Sequence, residues 1–482
     1  MRAGLWRRTT VAVATAGLLL LSTASAFVVS ASSGTMTISK STTLTEDHLG
    51  NIVIATDNVT LDCAGHSVSG PDAGGESGGI VVLHSKGVTI RDCVVSGFDV
   101  NGIYAIGGTK LHLEKNTVLG NHDAGIWLEA LSAAAVAGND ILDNGDNGLV
   151  LFGATGVRVE NNVARGNTSV GFLLVNTTGS TLAGNRASGS ATGYTLGSSS
   201  NNTVVSNTAS GGAGPGFWIL EGSAGNVVRG NTSTGNANTG FILDGSDGNR
   251  FIGNTASHNQ GDGFAATNLD SAVFTGNKSL ANQSGGFLFQ ASTDVRVEDN
   301  VAKGNGPDGG NGFLFLGSSD LRVEDNVAKD SPWACFGLYD GTHGATLVGN
   351  SASGCSAGFD LGAGVQGNTL RGNTANKNIH DGTGGNGFSL YETSDNVLAD
   401  NTANGNNNGF LLVGADANTL TRNTANANDS YGFVAVEGAS DNTFRHNTAH
   451  GNDRSKTDCV DALDAGIGNV WFHNHFGTTN GI

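Results

Sequence analysis

The chain has 482 residues, among them 76 glycines and only 4 prolines, with 38% apolar and 14% charged residues. Glycine shows no period of three, which excludes a collagen; Gly and Asn are poor helix formers, which excludes a helical bundle; and the apolar content is too high for a disordered chain. A net charge of −18 argues against nucleic acid or an anionic membrane as partner, and against a polyanionic substrate unless a local basic patch exists.

Residues 1–26 read as an export signal peptide. Arg7 and Arg8 precede an apolar run of about 11 residues, Val11 to Leu21, and Ala24-Ser25-Ala26 offers a small-x-small cleavage site. The run is shorter than the roughly 20 apolar residues of a membrane span. The expected location is therefore secreted: extracellular, periplasmic or cell-surface, with no membrane association after cleavage. Residues 27–58 are expected to form an N-terminal cap. Export permits disulfides, and spacing pairs Cys63 with Cys93 and Cys335 with Cys355, leaving Cys459 over.

From about residue 86 onward the sequence repeats itself, and residues 59–465 are expected to form the solenoid. Thr155 to Thr177 reads TGVRVENNVARGNTSVGFLLVNT, and Ala224 to Ser246 reads AGNVVRGNTSTGNANTGFILDGS. One asparagine marks each copy from Asn116 to Asn447, mostly 22 to 24 residues apart, a solenoid period. Leucine-rich repeats need LxxLxL and a helical segment. Here each copy alternates β-branched strands with Gly and Asn turns. The fold class is all-β: a right-handed parallel β-helix of about 17 coils, each holding three short strands and rising about 4.8 Å. An aromatic column, from Phe172 and Tyr194 to Phe433, points inward. The asparagine column is expected to bond turn backbone and its own neighbours. Residues 466–482 form a C-terminal coil or cap.

The GFxLxxS and NxxxxNxA repeats resemble the NosD type of right-handed parallel β-helix proteins, within the broader pectin-lyase-like group. The segment from Asn58 to His66, NVTLDCAGH, resembles the opening turn of such proteins. The resemblance implies the fold and a carbohydrate-related role. The paired-Asp and Gly-His-Gly motifs of polygalacturonases and the Asp-Pro-His motif of alginate epimerases are absent. No Met- or His-rich tract supports a copper-linked role.

In each copy the residue after the core aromatic points outward, as does the one two later. These pairs include Trp127/Glu129, Val150/Phe152, Leu173/Val175, Trp218/Leu220 and Val434/Val436. They predict a long exposed apolar stripe, suited to an interface or to sugar rings. Trp127, Phe152, Trp218, Tyr339 and Tyr391 are the expected carbohydrate contacts. The stripe breaks at Gly337/Tyr339, Asp360/Gly362 and Ser389/Tyr391. Extra residues near Gly306–Gly310 and Ile379–Gly385 enter at one corner. Asp360, roofed by His380 and Asp381, is the candidate catalytic group for acid–base chemistry on a sugar. Arg158, Arg296 and Arg322 each stand two residues before a glutamate and read as solvated ion pairs. His446, His473 and His475 are the candidate metal ligands; a divalent metal enters only there, and the reading requires no other cofactor.

The reading is a secreted β-helix protein that interacts with an extracellular polysaccharide by binding rather than turnover. The alternative is a lyase, hydrolase or epimerase using the Asp360 region. A third is a surface protein assembling as a homo-oligomer through the apolar strand face.

Overall fold

The computed structural model describes residues 34–70, 78–220, 222–380, 383–454 and 459–482. The expected signal peptide and the first residues of the expected cap lie outside them. Every element named is a β-strand, and the chain winds through about 18 turns. One coil shows the plan. Arg158–Glu160 lies in what we call the second sheet, and Asn161 turns the corner at φ 54°. Val163–Arg165 lies in the third sheet, Gly166 turns at φ 66°, and Val170–Val175 lies in the first sheet. The next coil re-enters the second sheet at Thr181–Ala183. Side chains alternate in and out along each strand, so Val159, Ala164, Phe172 and Leu174 face the core.

Each strand pairs in parallel with its counterpart one coil on. In the first sheet Phe172 opposes Tyr194, and Tyr194 opposes Phe217. That sheet has 20 strands and the third has 15, the latter extended by bridges through Thr374, Thr402, Thr424 and Thr448. Parallel crossovers of this kind are right-handed as a rule. Stacking starts early: Met36–Ile38 pairs with Ile52–Ile54, inside the stretch expected as a cap. It ends with Val470–Phe472, His475–Phe476 and Thr479–Asn480. No helix long and apolar enough to cross a membrane occurs among the described residues.

Two kinds of column fill the inside. The aromatic rings from Phe172 to Phe433 stack with centroids 4.6 to 5.0 Å apart and planes within 8° of parallel. The coil rise sets that spacing, and it suits offset ring stacking. The asparagines from Asn116 to Asn474 form a buried ladder. Each Nδ2 donates to the Oδ1 of the next, as Asn277 does to Asn300 at 3.0 Å. The same Oδ1 accepts the preceding asparagine's backbone N–H at 2.8 Å. The second Nδ2 hydrogen goes to a carbonyl one coil back, as from Asn300 to Phe274 at 2.8 Å. Two further columns carry shorter ladders, among them Asn236–Asn259–Asn282–Asn305 and Asn378–Asn406–Asn428–Asn452 in one and Asn368–Asn396–Asn418–Asn442–Asn469 in the other. Disulfides join Cys63 to Cys93 and Cys335 to Cys355.

Asn300→Ala would strand two donors of Asn277 and the Phe274 carbonyl. We expect a loss of about 2–4 kcal/mol, read as a lower urea midpoint. Phe287→Ala, which opens a hole in the ring column, should cost about 3–5 kcal/mol. A midpoint unchanged by Asn300→Ala would show that the ladder does not carry stability.

Candidate functional site

The outward face of the first sheet is two columns of side chains, spaced by the coil rise. The expected exposed stripe is corrected here. Val150, Val175 and Val434 are buried, and Trp127, Phe152, Trp218, Leu288 and Leu314 are half-buried. At interstrand spacing each outward side chain packs between its counterparts on the coils before and after, so the stripe largely covers itself. Trp127 stacks on Phe152 with centroids 6.2 Å apart. Beside them the Tyr104 hydroxyl donates to Glu129 Oε2 at 3.0 Å. The Trp127 indole N–H is buried with no hydrogen-bond partner.

The break in the stripe falls where alternation puts it. Gly337 opposes Asp360, and Asp360 opposes Ser389. The two glycines let the Tyr339 ring lie down. A Cβ on Gly337 would sit 2.6 Å from Tyr339 Cε2, and one on Gly362 2.5 Å from its Cδ1. Lying so, the Tyr339 hydroxyl donates to Asp360 Oδ2 at 2.7 Å. Asp360 Oδ1 is buried and has no partner. Burial pushes the Asp360 carboxyl above its ordinary range, and the Tyr339 hydrogen bond offsets part of that rise. Burial, then the Asp360 charge, raises both Tyr339 and Tyr391. Tyr391 is 38% exposed and borders the site on the far side.

Asp381 lies outside the described residues. Ile379–His380 pairs antiparallel with Thr383–Gly384, so the second insertion is a small hairpin at the corner before the first sheet. The first insertion folds back at the same corner, with the Gly309 N–H donating to the Gly306 carbonyl at 2.8 Å. Against it stands Trp333, 58% exposed. A Cβ on Gly309 would approach the indole to 3.1 Å. Trp333 was not among the residues expected from sequence. Its signal is a tryptophan directly before a core strand, one coil after an insertion.

The histidines separate into two pairs. His446 meets His473 with ring centroids 5.1 Å apart, while His475 meets His450 at 4.7 Å. His473 sits at a corner, in register with His446, whereas His475 lies in the strand opposite Thr448. No group of three or more His, Cys, Asp or Glu is arranged to hold a metal among the described residues. Arg158, Arg296 and Arg322 bond Glu160, Glu298 and Glu324 at 2.6 to 2.7 Å, on the exposed second sheet. A cleft of about 560 Å³ lies elsewhere, on the second sheet of the first coils, around the Asp62–Arg91 ion pair, Thr60, Thr89 and His112. It is polar and open, and it holds none of the aromatic groups described above.

An aspartate held above its unfolded-state value stabilises the fold only while protonated, and that contribution is lost as pH rises through the raised value. Asp360→Asn keeps an acceptor for Tyr339 and removes the ionisation. The variant should therefore gain stability relative to the native chain between pH 3 and pH 7. Melting temperatures that differ by a constant amount across that range would contradict the burial argument.

Among solved structures, the mannuronan C-5 epimerase AlgE6 A-module of Azotobacter vinelandii is 14% identical, over 85% of this chain and 92% of that one, with a TM-score of 0.31. PfbA, a surface adhesin of Streptococcus pneumoniae, is 10% identical over 59% and 72%, with a TM-score of 0.33. A GH136 lacto-N-biosidase from Eubacterium ramulus is 9% identical over 57% and 62%, with a TM-score of 0.36. No curated protein is significantly similar in sequence. The sequence model described as the right-handed beta helix region matches residues 25–187, 78–233, 174–328, 234–375 and 311–476, overlapping along the coils, and the chain belongs to that family.

Proposed function

We propose that this chain is a secreted polysaccharide-binding β-helix whose contact surface is the outward face of the first sheet and its insertion corner. The observation that carries the reading is a set of aromatic side chains along the first sheet and its corner: Tyr391 and Trp333 exposed, Tyr339, Trp218, Phe152 and Trp127 half-buried. Flat rings at intervals along a straight surface suit an extended sugar chain, which offers apolar ring faces and polar edges. The two disulfides suit an oxidising compartment outside the cytoplasm.

Binding is favoured over turnover by the closed setting of Asp360, since a general acid or base must reach the substrate. Asp360 has a phenol on one oxygen, and its other oxygen is closed off from water.

Trp333→Ala and Tyr391→Ala should each weaken binding to a polysaccharide ligand by about tenfold, the loss of one aromatic contact, read by affinity electrophoresis through a panel of neutral and acidic polysaccharides. Proton NMR of the same panel should be unchanged after incubation with the protein. New alkene, reducing-end or shifted anomeric signals, abolished by Asp360→Asn, would replace binding with catalysis. Absence of retardation by every polysaccharide would overturn the reading.

A further inference from the structure

On each strand of the third sheet the middle residue faces the core and its two flanks face out. From Val163–Arg165 to Thr448–Ala449, the outward positions hold Arg165, Arg186, Lys278, Lys303 and Lys329, and not one Asp or Glu. The whole chain has 42 acidic and 24 basic residues, so this face inverts the overall balance. All five cations are exposed. None takes part in an ion pair among the described residues, in contrast to the second sheet, where Arg158, Arg296 and Arg322 are each neutralised by a glutamate on their own strand.

Register places the cations in the two outward columns of the sheet. Lys303 opposes Lys329, and Lys278 lies on the coil before, opposite Val301. Arg165 and Arg186 lie on adjacent coils. Four coil steps, about 19 Å, separate Arg186 from Lys278, and the outward positions on the three coils between are all Ser or Thr. Carboxylates return only at the corners. Asp299 and Asp325 precede the lysine strands. Asp330 follows Lys329 and leans over the next coil, where a Cβ on Gly354 would meet its Oδ1 at 2.5 Å.

We infer that the outward face of the third sheet binds an extended polyanion, a carboxylated or sulfated polysaccharide laid along the solenoid axis. Unpaired cations at coil spacing would meet the anionic groups, and the hydroxyl rows between them would meet the sugar hydroxyls. The face has no aromatic side chain to stack a nucleobase. It is one strand wide, and the acidic remainder of the chain opposes a flat anionic membrane. The inference shares the carbohydrate reading above but stands on charge segregation on a different sheet.

The test is biolayer interferometry of the chain on immobilised dextran sulfate, alginate and uncharged dextran at low and high salt. We expect binding to at least one of the two anionic polymers, weakened as salt rises. The triple variant Lys278→Gln, Lys303→Gln, Lys329→Gln should lose that binding by about tenfold or more, with an unchanged melting temperature. Arg158→Gln with Arg296→Gln, on the paired face, and Trp333→Ala, at the insertion corner, should leave it within twofold. Failure to bind either anionic polymer at low salt, or a triple variant that binds as the native chain does, overturns the inference. Loss through Trp333→Ala but not through the lysines would place acidic sugars at the insertion corner beside the first sheet instead, sinking this inference and leaving the carbohydrate reading intact.

Discussion

The structure depends on a hydrogen bond from one asparagine side chain to the same residue one coil later. A parallel coil must turn three corners per circuit, and each corner takes backbone N–H and C=O groups out of the strand ladders into the interior. Buried, those groups must be paired. A carboxamide answers the requirement because it donates and accepts at once. Its oxygen takes two donors from the previous coil, its NH₂ serves the next oxygen and a carbonyl, and the arrangement repeats without change. Serine and threonine do the same less completely, as where Thr177 N–H donates to Ser199 Oγ and Ser199 N–H to Ser223 Oγ.

Such a ladder has a direction, and direction creates an end problem. From amide to amide the donors point toward the C-terminus, so the last asparagine of a column presents an N–H and one Nδ2 hydrogen with no amide to receive them. Two columns close on aspartates. Asn452 donates through both groups to Asp461 Oδ1, and Asn469 donates through Nδ2 to Asp464 Oδ1. A carboxylate only accepts, which is what a donor-terminated stack needs. The second oxygens are used as well, by the Thr478 N–H and the Trp471 indole N–H. The last coil is thus fastened by the polar columns as well as by ring contacts such as Phe444 on Trp471, at 3.6 Å.

What could be read in advance followed from the two periods. A repeat near 23 residues fixes which positions stack, and alternation fixes which face outward. The ring column, the main asparagine column and the Gly337–Asp360–Ser389 break are all consequences of those two rules. What could not be read depends on side-chain direction and on interrupted patterns. The burial of Asp360 requires Tyr339 to lie across Gly337 and Gly362, and register alone does not say which way a ring falls. Trp333 sits at a corner, outside the strand alternation, and its surroundings depend on how Gly306–Gly310 folds back. The minor asparagine ladders are broken by serines and glycines, so no unbroken period reveals them. The apolar stripe was legible in composition but not in exposure, because at coil spacing a column of large side chains shields itself.

A solenoid also separates what a globular domain mixes. Each coil contributes one strand to every sheet, so outward positions on one sheet vary without touching the core or the other two faces. Aromatic and aliphatic side chains collect on the first sheet, arginine–glutamate pairs on the second, and unpaired cations with hydroxyl rows on the third. The Debye length at physiological salt is about 8 Å, shorter than the distance along a few coils. A ligand laid on one face therefore meets that face's charge more than the molecular total. The value of −18 governs solubility and long-range encounter, while the sign of local recognition is set sheet by sheet.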